Sequence, residues 1–316
     1  MVTPLPYAGA DTIVPLKGHG FASRGTGHCT SHHGELIQGT LRLEGVATPC
    51  LLSLPRRDKG SVCRLELFES DCLDVAPSWK QKALRAAKLT LAQCGLPGAT
   101  GRLSLRCEME AGFGLGASTA DVVAAIRAAA AAAGRRLQPE EVAAIAVKAE
   151  TACDPSMFEH AALLFAPRQG RVLEWWGNWY PDYVVFGCNL RSDGEGIDTL
   201  SLSPHYSEAE LDRYESLFDA ARQAFHRRDA AAVAATATKS AVLNQSRVRL
   251  ERFDMLLTLS TKLGALGVQI SHSGIVGGVL LDPLEATLSQ KISALTQAWL
   301  ALGDNRFEVF RTGRQV

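Results

Sequence analysis

Charge of one sign is the clearest lack in this sequence: 33 Lys and Arg are cancelled by 33 Asp and Glu across 316 residues. Without a net field, a chain that tracks nucleic acid along a basic face, or holds an anionic membrane by charge, is not expected. No stretch approaches the ~18 consecutive apolar residues that span a bilayer. The first 27 residues, MVTPLPYAGADTIVPLKGHGFASRGTG, lack the apolar core of a secretory signal. Eight cysteines, at 29, 50, 63, 72, 94, 107, 153 and 188, never fall as a CxxC pair. Such scattered cysteines point to reduced thiols rather than a disulfide framework. These absences lead to the expectation of a cytoplasmic, soluble protein with neither nucleic acid nor membrane as partner.

What is present is an ordinary globular composition, 47% hydrophobic and 21% charged, long enough for two modest domains. From His28 to Phe68 short apolar runs alternate with turn residues and predict successive antiparallel strands. SWKQKALRAAKLTLAQCG shifts to helical spacing, with Ala83, Ala87, Leu91 and Cys94 on one face and Gly95 as the stop. GRLSLRCEME returns to a strand pattern. An alanine helix ending near Gly134 follows, then a helix with Pro139 in its first turn, running to about Thr151. Further on, a hairpin is expected around Pro167–Gly170, with Trp175, Trp176 and Trp179 packing it, then helices over 207–228 and 229–246. The chain closes with helix 251–263, two strands about a glycine turn, helix 283–301 and a last strand. This order predicts an α+β protein. We expect an N-terminal arm over 1–27 and domains over 28–180 and 181–316.

The stretch GFGLGASTAD, residues 112–121, opens the alanine helix VVAAIRAAAAAAG. A helix start offers unpaired N–H groups and partial positive charge, and glycines before it let an anion approach the backbone. Ser118 and Thr119 stand in the first turn, where a hydroxyl caps the helix, binds a phosphate oxygen or ligates Mg²⁺. Asp121 reads as a complement to the helix dipole. No Gly-Lys-Ser/Thr follows, so this is not a Walker A loop, and glycines at 112, 114 and 116 do not make GxGxxG. A plain glycine turn with a Ser/Thr cap explains the same residues, so context must decide.

Three segments supply it. GLGASTAD resembles the Gly-Leu-Gly-Ser-Ser-Ala phosphate loop of the GHMP kinases, the superfamily of galactokinase and of homoserine, mevalonate and phosphomevalonate kinases. CTSHHGELIQGTL, residues 29–41, resembles that family's first motif. SHSGIVGGVLLD, residues 271–282, resembles its third. The forms GELIQG, STAD and SHSG-x-VG are similar to the L-threonine kinase branch, which serves cobalamin biosynthesis. The resemblance spans essentially all of the chain after the arm. It implies an N-terminal α/β domain with a left-handed βαβ unit and a C-terminal ferredoxin-like domain. The implied reaction moves the ATP γ-phosphate to the hydroxyl of L-threonine, giving O-phospho-L-threonine.

By the same resemblance Gly112, Gly114, Leu115, Gly116, Ala117, Ser118 and Thr119 would wrap the phosphates. Ser118, and more weakly Glu150, would ligate Mg²⁺. Asp154, in TACDPSMF, would accept or orient the acceptor proton, although Asp-Pro also begins turns. Ser31, Gly34, Glu35, Gln38, Ser273, Gly274 and Gly277 would line the acceptor site, Glu35 either binding an ammonium or forming a strand-edge salt bridge. The third motif reads equally as a tight hairpin turn. The one macromolecular partner left open is a second copy of the chain, as a homodimer.

The chain departs from the family at several positions. Glu110 stands for a proline before the loop and Ala117 for the first serine. Thr30, Ser31, His32 and His33 replace Pro-Ala-Ser-Cys, and Thr151, Ala152 and Cys153 precede Asp154. Changes in these last two places fall where the acceptor would sit, so serine, homoserine or another small alcohol stays an alternative. A nucleotide-binding relative without chemistry is a second. His28, Cys29, His32 and His33 do not follow a zinc-finger spacing, and strand alternation puts His32 and His33 on opposite faces. No metal is expected there.

Overall fold

The computed structural model describes residues 23–109, 116–159, 161–193, 205–272 and 275–313. Gly112, Gly114, Leu115, Ser273 and Gly274, together with most of the N-terminal arm, lie outside them.

The first strands are longer than the sequence implies. Instead of several short strands there are two, β1 (Ser23–Leu43) and β2 (Val46–Leu67). The turn between them is Glu44–Gly45, with φ of 50° and 80°, the left-handed pair that a two-residue hairpin requires. Glycines that read as breaks are absorbed into β1. Gly34 takes φ 64°, and a Cβ there would lie 2.3 Å from Gln269 Oε1. A Cβ on Gly39 would meet the Tyr214 ring at 2.3 Å. These glycines mark close approaches rather than chain reversals. β1 also begins at Ser23, inside the segment read as an arm.

The chain gathers into two compact units. Of the described residues, the first comprises 23–29, Gly60–Glu108 and Ser118–Cys153. Here β3 (Leu73–Ala76), α1 (Gln81–Gln93) and β4 (Gly101–Cys107) form a βαβ unit, β3 pairing parallel to β4. The end of β2 pairs antiparallel on the other side of β4, Ser61 opposite Cys107 and Leu67 opposite Gly101. β3 was not foreseen, because LDVA is too short to show periodicity.

Two helices complete this unit, α2 (Ala117–Ala132) and α3 (Pro139–Glu150). α2 is buried nearly all round, and its alanines have a specific reason. A Cβ on Gly25 would lie 2.1 Å from the Ala128 carbonyl oxygen, and one on Gly27 would lie 2.1 Å from that of Ala124. Strand backbone therefore touches helix backbone, which only Gly facing Ala permits. Ser23 Oγ donates to the Ala132 carbonyl at 2.5 Å and Arg127 Nη1 to that of His28 at 2.7 Å, fixing both ends of the contact.

The second unit comprises Thr30–Lys59, Met109–Ala117 and the chain from Asp154 on. A one-turn 3₁₀ helix, Ser156–Phe158, leads into β5 (Ala162–Ala166) and β6 (Arg171–Gly177), the expected hairpin. β7 (Val184–Asn189), α4 (Glu208–Arg227), α5 (Ala230–Asn244), α6 (Phe253–Lys262), β8 (Gly267–Ile270), β9 (Val276–Leu281), α7 (Leu288–Ala301) and β10 (Phe307–Arg311) follow. Strand order runs β10-β7-β9-β8-β1-β2, with β5 also pairing β2. Both faces of this sheet are covered. Val185 and Leu280 join Phe218, Ala221 and Ala237 of α4 and α5, whereas Phe186 and Leu281 join Leu256, Leu295 and Trp299 of α6 and α7. α7 starts later than the pattern predicts, because Asp282 Oδ1 accepts from the Leu284 N–H and makes a turn of Asp282-Pro283.

Among the described residues no helix is long and apolar enough to cross a membrane.

Candidate active site

The first turn of α2 is chemically dense. Ser118 Oγ donates to Glu150 Oε2 at 2.7 Å, and Thr119 Oγ1 donates to Glu150 Oε1 at 2.8 Å. Glu150 is the last residue of α3, so two consecutive hydroxyls at one helix start share a carboxylate from another helix's end. Lys82 of α1 completes the group, its Nζ 3.4 Å from Ser118 Oγ and 3.9 Å from Glu150 Oε2. The Glu150 side chain is 2% exposed. A buried carboxylate with adjacent hydroxyl oxygen is a hard, oxygen-only donor set, of the kind Mg²⁺ takes. Neighbouring ligands of a cation at ~2.0–2.1 Å in octahedral geometry stand about 2.9 Å apart. Ser118 Oγ and Glu150 Oε2 fit that edge.

Asp121 differs from its reading as a dipole complement. It lies beyond the first turn, buried, accepting from Ser61 Oγ at 2.7 Å and pairing with Lys80. It ties α2 to β2 and to the start of α1, a structural role.

After Glu150 the chain turns sharply. Thr151 adopts φ 75° as the C-cap of α3, its N–H bonded to the Val147 carbonyl at 2.7 Å, and Asp154 follows three residues later. In the second unit Asp154 meets β1, where His32 Nε2 lies 2.9 Å from Asp154 Oδ2. Glu35 joins them, and ligand atoms of His32, Glu35 and Asp154 all lie within 4.8 Å of one another, close enough to share a cation. Simple alternation would not bring positions 32 and 35 together. The left-handed Gly34 between them resets it, as an extra residue in a bulge does.

Electrostatics divides these groups. Burial pulls the His32 imidazole towards neutrality, yet the charge and hydrogen bond of Asp154, helped by Glu35, raise it to about 9. Burial pushes Glu35 up to about 8, with the charge of Asp154 adding and that of His32 opposing. Glu35 Oε2, Ser31 Oγ and both ring nitrogens of His32 are buried without a well-aligned hydrogen bond among the described residues, the approach of His32 Nε2 to Asp154 being a charge contact. Buried polar atoms are normally paired, so this group marks a place for something else.

The remaining expected residues divide. Gln38 is held by protein: its N–H donates to Ser240 Oγ at 2.8 Å, its Nε2 to the Ile270 carbonyl at 3.3 Å, and its Oε1 lies 3.2 Å from His272 Nδ1. His272 in turn donates its backbone N–H to Glu35, and burial lowers its own pKa. Gly277 sits within β9, where a Cβ would meet Leu190 at 2.7 Å, a packing need. His33 faces away from His32 as expected. Its Nδ1 is 2.6 Å from Gln269 Nε2, its ring lies 5.0 Å from that of Phe310 with the planes tilted by 50°, and burial lowers it to about 4.

Two contributors were missed. Lys82 carried no signal, lying in an ordinary amphipathic helix. His32 did carry one, the departure from the family's first motif, but a left-handed Gly34 cannot be read from the letters.

Gly116 touches this cluster. Gly116, just before α2, has φ 68°, and a Cβ there would lie 2.2 Å from His32 Nε2 and 2.3 Å from Cδ2. The bare Cα rests on the imidazole.

Residues 81–163 match the model of the GHMP kinases N terminal domain. That match spans about a quarter of the chain, and over most of the rest the fold is shared with solved small-molecule kinases. Homoserine kinase from Cytophaga hutchinsonii superposes with TM-score 0.64 at 14% identity, over 95% of this chain and 97% of that one. L. major mevalonate kinase, solved with R-mevalonate, does so with TM-score 0.64 at 17% identity, over 95% and 98%. The mevalonate diphosphate decarboxylase of Enterococcus faecalis, studied for its ATP binding, gives TM-score 0.60 at 14% identity, over 92% and 97%. No curated protein matches the sequence. In GHMP terms, the matched segment runs from α1 through α2 and α3 to β5 and contains Lys82, Ser118, Thr119, Glu150 and Asp154.

Proposed function

We propose that this chain is an ATP-dependent kinase of the GHMP type that phosphorylates the side-chain hydroxyl of L-threonine. The observation that carries the reading is the clasp of Ser118 and Thr119 on Glu150 at the start of α2. A helix cap needs one hydroxyl and its own backbone; it does not need a buried carboxylate from a second helix.

In this reading the amides of Gly112, Gly114, Leu115, Gly116 and Ala117, at the positive end of α2, hold the phosphates. Ser118 and Glu150 hold Mg²⁺, which supplies charge neutralisation on the phosphate oxygens. Lys82 adds a cation beside them. Asp154 receives the proton of the acceptor hydroxyl as its oxygen bonds to the γ-phosphorus and ADP departs. Ser31, Gly34 and Glu35 border the acceptor, with Ser273, Gly274 and Gly277 completing the wall and Gln38 supporting it through His272. An arriving ammonium would supply the positive charge that Glu35 needs in order to ionise inside the protein. The match at 81–163 falls within the nucleotide-binding domain we place over 28–180, ahead of the domain over 181–316, in a cytoplasmic protein.

The family chemistry is supported by the matched segment and by kinases of this fold whose names specify alcohol acceptors, homoserine and mevalonate. Threonine rests on the motifs GELIQG, STAD and SHSG-x-VG alone. Homoserine is the second acceptor, favoured by the homoserine kinase likeness. The deciding experiment measures ADP release with Mg²⁺ and ATP across threonine, serine and homoserine, with ³¹P NMR of the product. Threonine-dependent ADP release with a phosphomonoester on the side chain supports the reading. Turnover of another acceptor with none of threonine ends the threonine assignment, and ATP binding without transfer to any of them ends the kinase.

A further inference from the structure

We infer that His32 is the positioning residue of the acceptor site: its imidazole holds one oxygen of Asp154, so that the other is presented to the acceptor hydroxyl. The role of Asp154 rests on the kinase reading above.

Three observations support it. The first is an asymmetry of depth. Across the 2.9 Å contact the His32 side chain is 6% exposed and that of Asp154 is 23%. The imidazole is behind, the carboxylate in front, and the front group is the one a substrate can reach. The second is Gly116. Any side chain there would strike three atoms of the ring, at 2.2, 2.3 and 3.1 Å, so the last residue before α2 is kept bare where His32 lies. The ring is thereby fixed between Asp154 and the backbone that precedes Ser118. The third is Glu35, whose buried Oε2 has no hydrogen-bond partner among the described residues, in a site where an ordinary structural ion pair would need no second carboxyl.

Among the described residues, the charged groups that act on or are acted on by Asp154 include His32 and Glu35 from β1 and His272 after β8, with Arg168 of the β5–β6 turn acting on His272. His32 alone among them is raised as a base, by the charge of Asp154 against its burial. A carboxylate tethered at one oxygen has a fixed plane, and placing a reacting group to within an ångström is worth about a hundredfold in rate.

The test uses the full chain and the acceptor from the panel that shows turnover. His32→Gln keeps an N–H donor without charge, and His32→Leu removes both. We expect kcat to fall about 10-fold in the first and about 100-fold in the second, with KM for ATP within twofold of wild type. The acid limb of the kcat profile in His32→Gln should move to higher pH, because Asp154 has lost its cation. Imidazole ¹⁵N NMR of wild type and Asp154→Asn reads the pair without turnover, and His32 should titrate at lower pH in the variant. Unchanged kcat in both His32 variants, losses confined to KM for ATP, or identical His32 titration in both proteins overturns the inference while leaving the kinase. Stoichiometric Zn²⁺ or Mn²⁺ that is required for turnover and lost in His32→Leu overturns it in favour of a metal. Wild type inactive on every acceptor overturns the kinase reading itself, and is seen before any variant is made.

Discussion

Glu150 accepts from Ser118 at 2.7 Å and from Thr119 at 2.8 Å, so one carboxylate at the end of α3 engages both hydroxyls at the start of α2. If these oxygens hold Mg²⁺, Glu150→Gln should raise the Mg²⁺ concentration for half-maximal activity at least tenfold, since charge dominates hard-cation binding. Ser118→Ala should do so less, by losing one neutral ligand. A Mg²⁺ titration of ADP release checks both, and an unchanged midpoint in Glu150→Gln removes Glu150 from the metal site.

Asp154→Asn keeps the shape of the side chain and removes its capacity to take a proton. General-base contributions run to about 10²–10⁴ in rate, so kcat should fall at least 100-fold while ATP affinity, by calorimetry, holds. Retention of more than a tenth of kcat would show that the hydroxyl proton leaves by another route.

Gly116→Ala places a methyl group in left-handed backbone and against the His32 ring. Left-handed geometry alone costs a non-glycine residue about 1–2 kcal/mol. We expect a lower melting temperature together with lost activity. A variant as stable and as active as wild type would mean that the loop departs from the imidazole in solution.

Lys80→Met should destabilise by about 3 kcal/mol, because Asp121 would remain buried without its counter-charge. Urea denaturation measures this. The double variant Lys80→Met/Asp121→Leu should recover much of the loss, and failure to recover would point to packing instead of charge.

Stability should also respond to alkaline pH. Unfolded, His32 titrates near 6.5 and Glu35 near 4.5, but folded they keep their protons to about 9 and about 8. The folded state binds more protons over that range, so stability falls as pH rises. The His32 contribution is whole below 6.5 and is lost as pH rises through about 9. His33, lowered to about 4, acts in the opposite sense only between there and 6.5. Melting temperature should therefore drop from pH 7 to 9 in wild type and drop less in His32→Gln; parallel curves would contradict the assignment.

The helices were legible because their signals are local: Pro139 at the start of α3, Gly95 at the end of α1, and apolar residues at helical spacing. The clasp residues Ser118 and Glu150 were legible through motif likeness, although nothing in the spacing of 118 and 150 shows that they touch. Misreadings came where a residue's usual local meaning was overridden by a distant neighbour. Gly34 and Gly39 read as breaks, but the side chains of Gln269 and Tyr214 fill the space that their missing Cβ atoms leave. Asp121 read as a helix-end charge, but Lys80 and Ser61 claim it. His32 read as one of a group of histidines and a cysteine with no metal, and its partner lay more than a hundred residues away at Asp154.

The backbone-to-backbone seam of Gly25 and Gly27 against Ala124 and Ala128 has a mechanical consequence. A joint with no side chains between its halves has no rotamers to exchange, so α2 can neither roll nor slip along the strand in small steps. Its first turn is a fixed datum within its unit, and any accommodation of a ligand must be made by parts of the chain other than this helix.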